Sequence, residues 1–141
     1  MATIFVDTFY WVALINPQDD WHKKVLNFSQ SLGDVDLITT EEVLGEVLAF
    51  YSKSGLRMKQ RVVKLIESIF NNDRITVIEQ SHQSFLLGFA LYQQRLDKGY
   101  SLTDCISMNT MKNLQINSVL SHDKHFTQEG LAILFDDIQS E

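Results

Sequence analysis

Four acids, Asp7, Glu46, Asp104 and Asp123, stand where an alternating strand–helix chain gathers its chemistry. Asp7 ends the apolar run Thr3-Ile4-Phe5-Val6, and Asp123 follows Ser118-Val119-Leu120. Asp104 opens a helix carried by Leu102 and by Ile106 to Leu114, and Glu46 borders the apolar arc of an earlier helix. Taken singly, each has a structural explanation. Asp7 caps the helix that follows it, and Asp104 completes a capping box with Ser101 in the first turn. Asp123 turns the chain at a strand end, and Glu46 leans out to water. Taken together, they sit at a strand end, a helix border, a helix start and a second strand end. Open parallel sheets place ligands at the carboxyl ends of their strands, near the switch in strand order. Oxygen ligands without a cysteine or histidine set suit Mg²⁺ or Mn²⁺ rather than zinc. His122 and His125 flank Asp123 without zinc-site spacing and are not taken as ligands. A hard dication there polarises a phosphoryl oxygen and activates water, so phosphodiester hydrolysis is the natural reaction class.

The elements that must position these acids read in order. Ile4 to Val6 is a buried strand, and Phe9 to Leu14 continues as a helix. After the break at Asn16-Pro17, Trp21, Val25 and Phe28 share one helical face. His22 beside that face is structural. Asp34 to Ile38 forms a second strand, and Thr39 with Glu42 makes a capping box for the next helix. Val43, Leu44, Val47, Leu48, Phe50 and Tyr51 form one continuous apolar arc of that helix, and Gly55 ends it. Leu56 to Phe70 is a further helix, Arg74 to Ile78 a β-branched strand. Ser81 to Lys98 is helical, with Phe85, Leu86, Phe89, Tyr92 and Leu96 on one face and Gly99 as its closing glycine. Asn113 to Asn117 breaks the chain before the fourth strand, and Leu131 to Phe135 is the fifth. Strands alternating with helices define an α/β fold with a mainly parallel five-stranded sheet flanked by helices. Residues 1–141 are expected to form one domain.

Composition narrows the class. A length of 141 residues, 45% hydrophobic and 21% charged, is ordinary for a soluble globular chain. No basic leader precedes Asp7, and no apolar run approaches the ~20 residues that cross a bilayer. The lone cysteine, Cys105, excludes an internal disulfide and fits a reducing cytoplasm; it reads as a small buried apolar residue. A net charge of −6 argues against global electrostatic coating by nucleic acid. Yet Lys53, Arg57, Lys59, Arg61 and Lys64 fall in one acid-free stretch. This is either a phosphate-contacting surface, with Arg57, Lys59 and Arg61 as RNA-binding candidates, or a solvated helix face.

The segments Phe5-Val6-Asp7-Thr8, Thr39-Thr40-Glu41-Glu42-Val43-Leu44-Gly45-Glu46, Ser101-Leu102-Thr103-Asp104-Cys105 and Leu120-Ser121-His122-Asp123-Lys124-His125-Phe126 resemble PIN-domain proteins of the VapC type, the ribonuclease toxins of toxin–antitoxin pairs. Asp20-Trp21-His22 resembles the family's link into its first long helix. The resemblance implies that Asp7, Glu46, Asp104 and Asp123 are catalytic, metal-binding acids. It makes Ser121 a small hydroxyl neighbour of the site and Thr8 a polar neighbour of the first acid. It further implies a Mg²⁺- or Mn²⁺-dependent endoribonuclease, homodimers, an RNA substrate and inhibition by a cognate antitoxin. The aromatic run Phe9-Tyr10-Trp11 departs from the family pattern and is compatible with a dimer or antitoxin groove. Two other readings keep an α/β fold. One is a catalytically silent RNA- or protein-binding module, against which the complete acid set counts. The other is a phosphoacceptor receiver domain, which needs an acidic pair near the first strand, where this chain has Asp7 alone.

Overall fold

The computed structural model describes residues 2–135. The expected 1–141 extent reaches past them at both ends. Strand β1 (Ala2–Val6) is the centre of a five-stranded sheet in the order β3-β2-β1-β4-β5, with β2 Val35–Thr40, β3 Ile75–Ile78, β4 Ser118–Leu120 and β5 Ala132–Ile133. Every pairing is parallel. Helices α1 (Thr8–Ile15), α2 (His22–Gln30), α3 (Glu41–Phe50), α4 (Leu56–Phe70), α5 (His82–Gln94), α6 (Leu102–Asn113) and the one-turn α7 (His125–Gln128) link the strands. Parallel neighbours need such crossovers, because they cannot be joined by a hairpin.

The chain lays β2 and β3 on one side of β1, then crosses to lay β4 and β5 on the other. The order therefore reverses between β1 and β4. Phe5 pairs with Val119 and Val6 with Leu120, so the two strands end level and release Asp7 and Ser121 side by side. The sheet's inner residues, Phe5, Val6, Val119 and Leu120, are fully buried beside Val43, Val47, Met108 and Met111. Cys105 is buried as expected. His22 is structural, its Nδ1 lying 2.8 Å from the Ala13 carbonyl oxygen.

Several boundaries differ from the sequence reading, some of them for a nonlocal reason. Thr40, not Thr39, caps α3 by accepting from the Val43 N–H; Thr39 is still in β2, donating to the Val6 carbonyl at 2.9 Å. Glu42 closes no capping box and instead accepts from Ser84 at 2.9 Å. Helix α3 ends at Phe50, leaving Leu48 and Phe50 exposed, and Gly55 is the N-cap of α4. Helix α5 stops at Gln94, four residues short of the expected end, because Arg95 leaves the helix to pair with Glu129. Its apolar side is also reversed. Gly88 and Leu91 face α6, whereas Phe85, Leu86, Phe89, Tyr92 and Leu96 are exposed. Strand β5 shrinks to two residues, and α7 went unforeseen. The run Phe9-Tyr10-Trp11 belongs to the interior. Tyr10 and Trp11 are buried, and Phe9 packs edge-on against Trp21, His122 and Phe135.

Candidate metal centre

Asp7 occupies the N-cap position of α1, yet its side chain makes no cap bond to the helix. It turns instead to β4, where the Ser121 hydroxyl donates to Asp7 Oδ2 at 2.9 Å. The same Ser121 oxygen accepts the Asp123 backbone N–H at 3.1 Å. One hydroxyl thus ties the end of β1 to the loop that carries Asp123. Asp7 is only 7% exposed, and its carboxyl is pushed up to about 7. Burial is the main cause, with the Asp104 and Glu46 charges adding to it; the Ser121 hydroxyl and the Thr8 backbone pull the other way.

Asp104 does two jobs at once. With Ser101 it forms the expected capping box, Asp104 Oδ2 accepting the Ser101 N–H at 2.9 Å and Ser101 Oγ accepting the Asp104 N–H at 3.0 Å. That bond fixes the rotamer that holds the carboxylate at the mouth of the sheet. Its carboxyl is also raised, by burial first and then by the charges of Asp123 and Glu46, against the pull of the Ser101 bonds. Ser107, Met108 and Met111, one side of the same helix, are fully buried. Glu46 leans inward from α3 and is fixed by the Thr8 hydroxyl, which donates to Glu46 Oε1. Asp123 starts the turn into α7, its Oδ1 accepting the His125 N–H at 2.9 Å.

The structure thus brings together all four expected acids, with Thr8 and Ser121 as hydroxyl partners of two of them. The tightest grouping of ligand atoms among the described residues includes one that the sequence reading set aside. Asp104, Asp123 and His125 each offer an atom within 4.8 Å of the others. Ligands of one small dication lie up to ~4.2 Å apart for bonds near 2.1 Å, so this set fits an ion with little movement. The donors are mostly carboxylate oxygens, two of the carboxyls are raised by crowding and burial, and the buried His125 Nδ1 makes no hydrogen bond. Each of these features is relieved by a cation. Lys and Arg side chains make no ion pair with the four acids among the described residues.

Arg57, Lys59 and Arg61 lie exposed on α4, a helix that carries none of the four acids. With Leu56, Gln60, Val63, Lys64 and Glu67 they line a groove of about 620 Å³.

A parallel α/β domain with a carboxylate cluster at its topological switch point is the class that fold and site define. The chain belongs to the PIN domain family, whose sequence profile matches residues 4–129. VapC20 from Mycobacterium tuberculosis, described as a sarcin–ricin-loop-cleaving toxin, superposes with a TM-score of 0.81 at 22% identity, covering 92% of this chain and 96% of its own. VapBC2 from Rickettsia felis, solved bound to a DNA fragment from its promoter, matches at 0.65 and 16%, covering 93% and 96%. FitAcB from Neisseria gonorrhoeae matches at 0.60 and 17%, covering 98% and 99%. At these identities the likeness is one of fold. No curated protein sequence matched the chain.

Proposed function

We propose that this protein is a divalent-metal-dependent endoribonuclease acting as the toxin of a toxin–antitoxin pair. The observation that carries the proposal is the convergence of Asp7, Glu46, Asp104 and Asp123 on the switch point between β1 and β4. Family membership and the toxin described for VapC20 point the same way. Mg²⁺ or Mn²⁺, when bound, would supply Lewis-acid activation of a phosphodiester and of the attacking water. Asp104 and Asp123 would hold the ion, with Asp7 and Glu46 completing the ring. Ser121 and Thr8 hydrogen-bond Asp7 and Glu46 and would hold their carboxylates oriented toward the site. Arg57, Lys59 and Arg61 would take RNA phosphates on the α4 groove. The same ring of acids would attract a cationic side chain from an antitoxin, and such a partner is in keeping with the paired VapBC2 and FitAcB structures. The exposed apolar side of α5 would be shared with a second copy of the chain, giving a homodimer.

The test is cleavage of a labelled sarcin–ricin-loop oligonucleotide and of an unrelated structured RNA. Wild type should cut at least one of them with Mn²⁺ or Mg²⁺ and neither in EDTA. Asp104→Asn and Asp7→Asn should each lose about a hundredfold or more in rate, the scale on which removal of an electrostatic catalytic group acts. Bound but uncut RNA under every metal condition would instead favour the silent binding module.

A further inference from the structure

His125 closes the carboxylate cluster from the α7 side. Its Nδ1 lies 3.2 Å from Asp123 Oδ1 and 3.9 Å from Asp104 Oδ2. Despite the short approach to Asp123, that nitrogen is buried and makes no hydrogen bond. Asp123 Oδ1 also accepts the His125 backbone N–H, at 2.9 Å. The ring is also held from behind. Tyr100 packs against it with centroids 5.2 Å apart, and Gly99 leaves the necessary room, since a Cβ there would meet the ring's Cε1 and Nε2 at 3.4 Å. Tyr100 is itself fixed by its hydroxyl, which donates to Glu129 at 2.8 Å. A buried, braced nitrogen that makes no hydrogen bond is costly in a folded protein. Facing two carboxylates that are not positioned to accept from it, it is arranged to share a third body with them.

We propose that His125 Nδ1 is a direct ligand of the dication held by Asp104 and Asp123, and that this nitrogen makes the centre prefer Mn²⁺ over Mg²⁺. The inference deepens the metal-centre reading above and rests on it. Imidazole suits transition-metal dications, whereas Mg²⁺ takes oxygen and gives up water reluctantly. With Nδ1 on the ion, the ring proton sits on Nε2, beside Gly99.

The experiment is electron spin-echo envelope modulation on untagged wild-type protein carrying substoichiometric Mn²⁺. The spectrum should show ¹⁴N modulation that converts to a ¹⁵N pattern on ¹⁵N-histidine labelling. The modulation should vanish in His125→Ala and survive in His122→Ala. Calorimetric titration should show His125→Ala weakening Mn²⁺ binding by about tenfold or more and Mg²⁺ binding by less than about threefold. An all-oxygen Mn²⁺ spectrum in wild type overturns the inference, as do equal losses for the two metals; His125 would then only pack against Asp123. The wild-type spectrum needs no variant, so a misfolded His125→Ala leaves the question decidable. Neither readout measures cleavage. Nitrogen-ligated Mn²⁺ beside uncut RNA sustains this inference and overturns the nuclease reading, whereas an all-oxygen spectrum with active cleavage does the reverse.

Discussion

Asp7 holds its carboxyl near neutrality because the fold buries it beside two other acids. A folded-state value raised to about 7, against an unfolded value near 4, gives a definite sign. The neutral form's contribution to stability is complete below pH ~4 and is lost as pH climbs through the folded value. Metal-free protein should therefore lose on the order of 3 kcal/mol between mild acid and pH 8. Urea denaturation in EDTA at pH 5, 6, 7 and 8 measures this, and Asp7→Asn should flatten the slope. A slope that persists in Asp7→Asn would assign it to other groups. The four acids were legible in the sequence because their types and order survive as short motifs. Their rival roles were not separable there. Asp7 sits at a cap position but does not cap, Asp104 caps and faces the cluster, and only the register of β1 with β4 shows the difference. His125 was missed because its ring reaches back across the turn that Asp123 starts. The available signal was a histidine two residues after a strand-end acid.

At the scale of elements, the site depends on how α5, α6 and α7 are held beside the sheet. Glu129 is the fastening. Its side chain is 4% exposed, and it accepts from Arg95 at 2.7 Å, Lys112 at 2.8 Å and Tyr100 at 2.8 Å. The Arg95 hydrogen bond, with help from Lys112 and Tyr100, pulls its carboxyl down to about 2. This shift has the opposite sign to that of Asp7. Stability from Glu129 is present above its unfolded value near 4.5 and is lost as pH falls towards about 2. Glu129→Gln should cost about 3 kcal/mol at pH 7, the scale for breaking one side of a buried ion network. Denaturation at pH 7 and pH 3 should show that loss shrinking in acid; an equal loss at both would make the contact one of packing alone. Gly88 marks the tightest helix contact, since a Cβ there would lie 2.5 Å from Ile106 Cγ1 and 3.2 Å from Leu102 Cδ1. Gly88→Ala should therefore destabilise by about 1–2 kcal/mol despite alanine's better helix propensity, and a gain in melting temperature would show that α5 yields freely. The strands and most helices were readable from period and turn residues. The end of α5 was not, because Arg95 is drawn out by an acid 34 residues later, and the cap of α3 shifted because Thr39 is claimed by Val6 across the sheet.

On the scale of the whole molecule, an acidic chain presents a basic face on α4 and gathers acids at the β1–β4 switch. No helix among the described residues is long and apolar enough to cross a membrane. If α4 carries RNA phosphates, replacing Arg57, Lys59 and Arg61 together with Gln should weaken RNA binding and lower its salt slope by about 2–3. An unchanged slope in a filter-binding titration would remove α4 from the RNA surface. The parallel α/β class follows from the strand–helix alternation, which local pattern encodes; the reversal of strand order between β1 and β4 is set by nonlocal pairing and was not readable there. The exposed side of α5 does not, because an apolar stripe in sequence does not say whether this chain or another molecule covers it. The central claim is that the acids at the β1–β4 switch form a metal centre. Its most direct test is a set of melting curves for wild type and Asp104→Asn, each in EDTA and in Mn²⁺. Mn²⁺ should raise the wild-type melting temperature by about 5 °C or more. Asp104→Asn should melt above wild type in EDTA, having lost a repelling charge, and gain little from Mn²⁺. A wild type indifferent to Mn²⁺, with Asp104→Asn melting lower in EDTA, would make Asp104 a helix cap and nothing more, and would contradict the account.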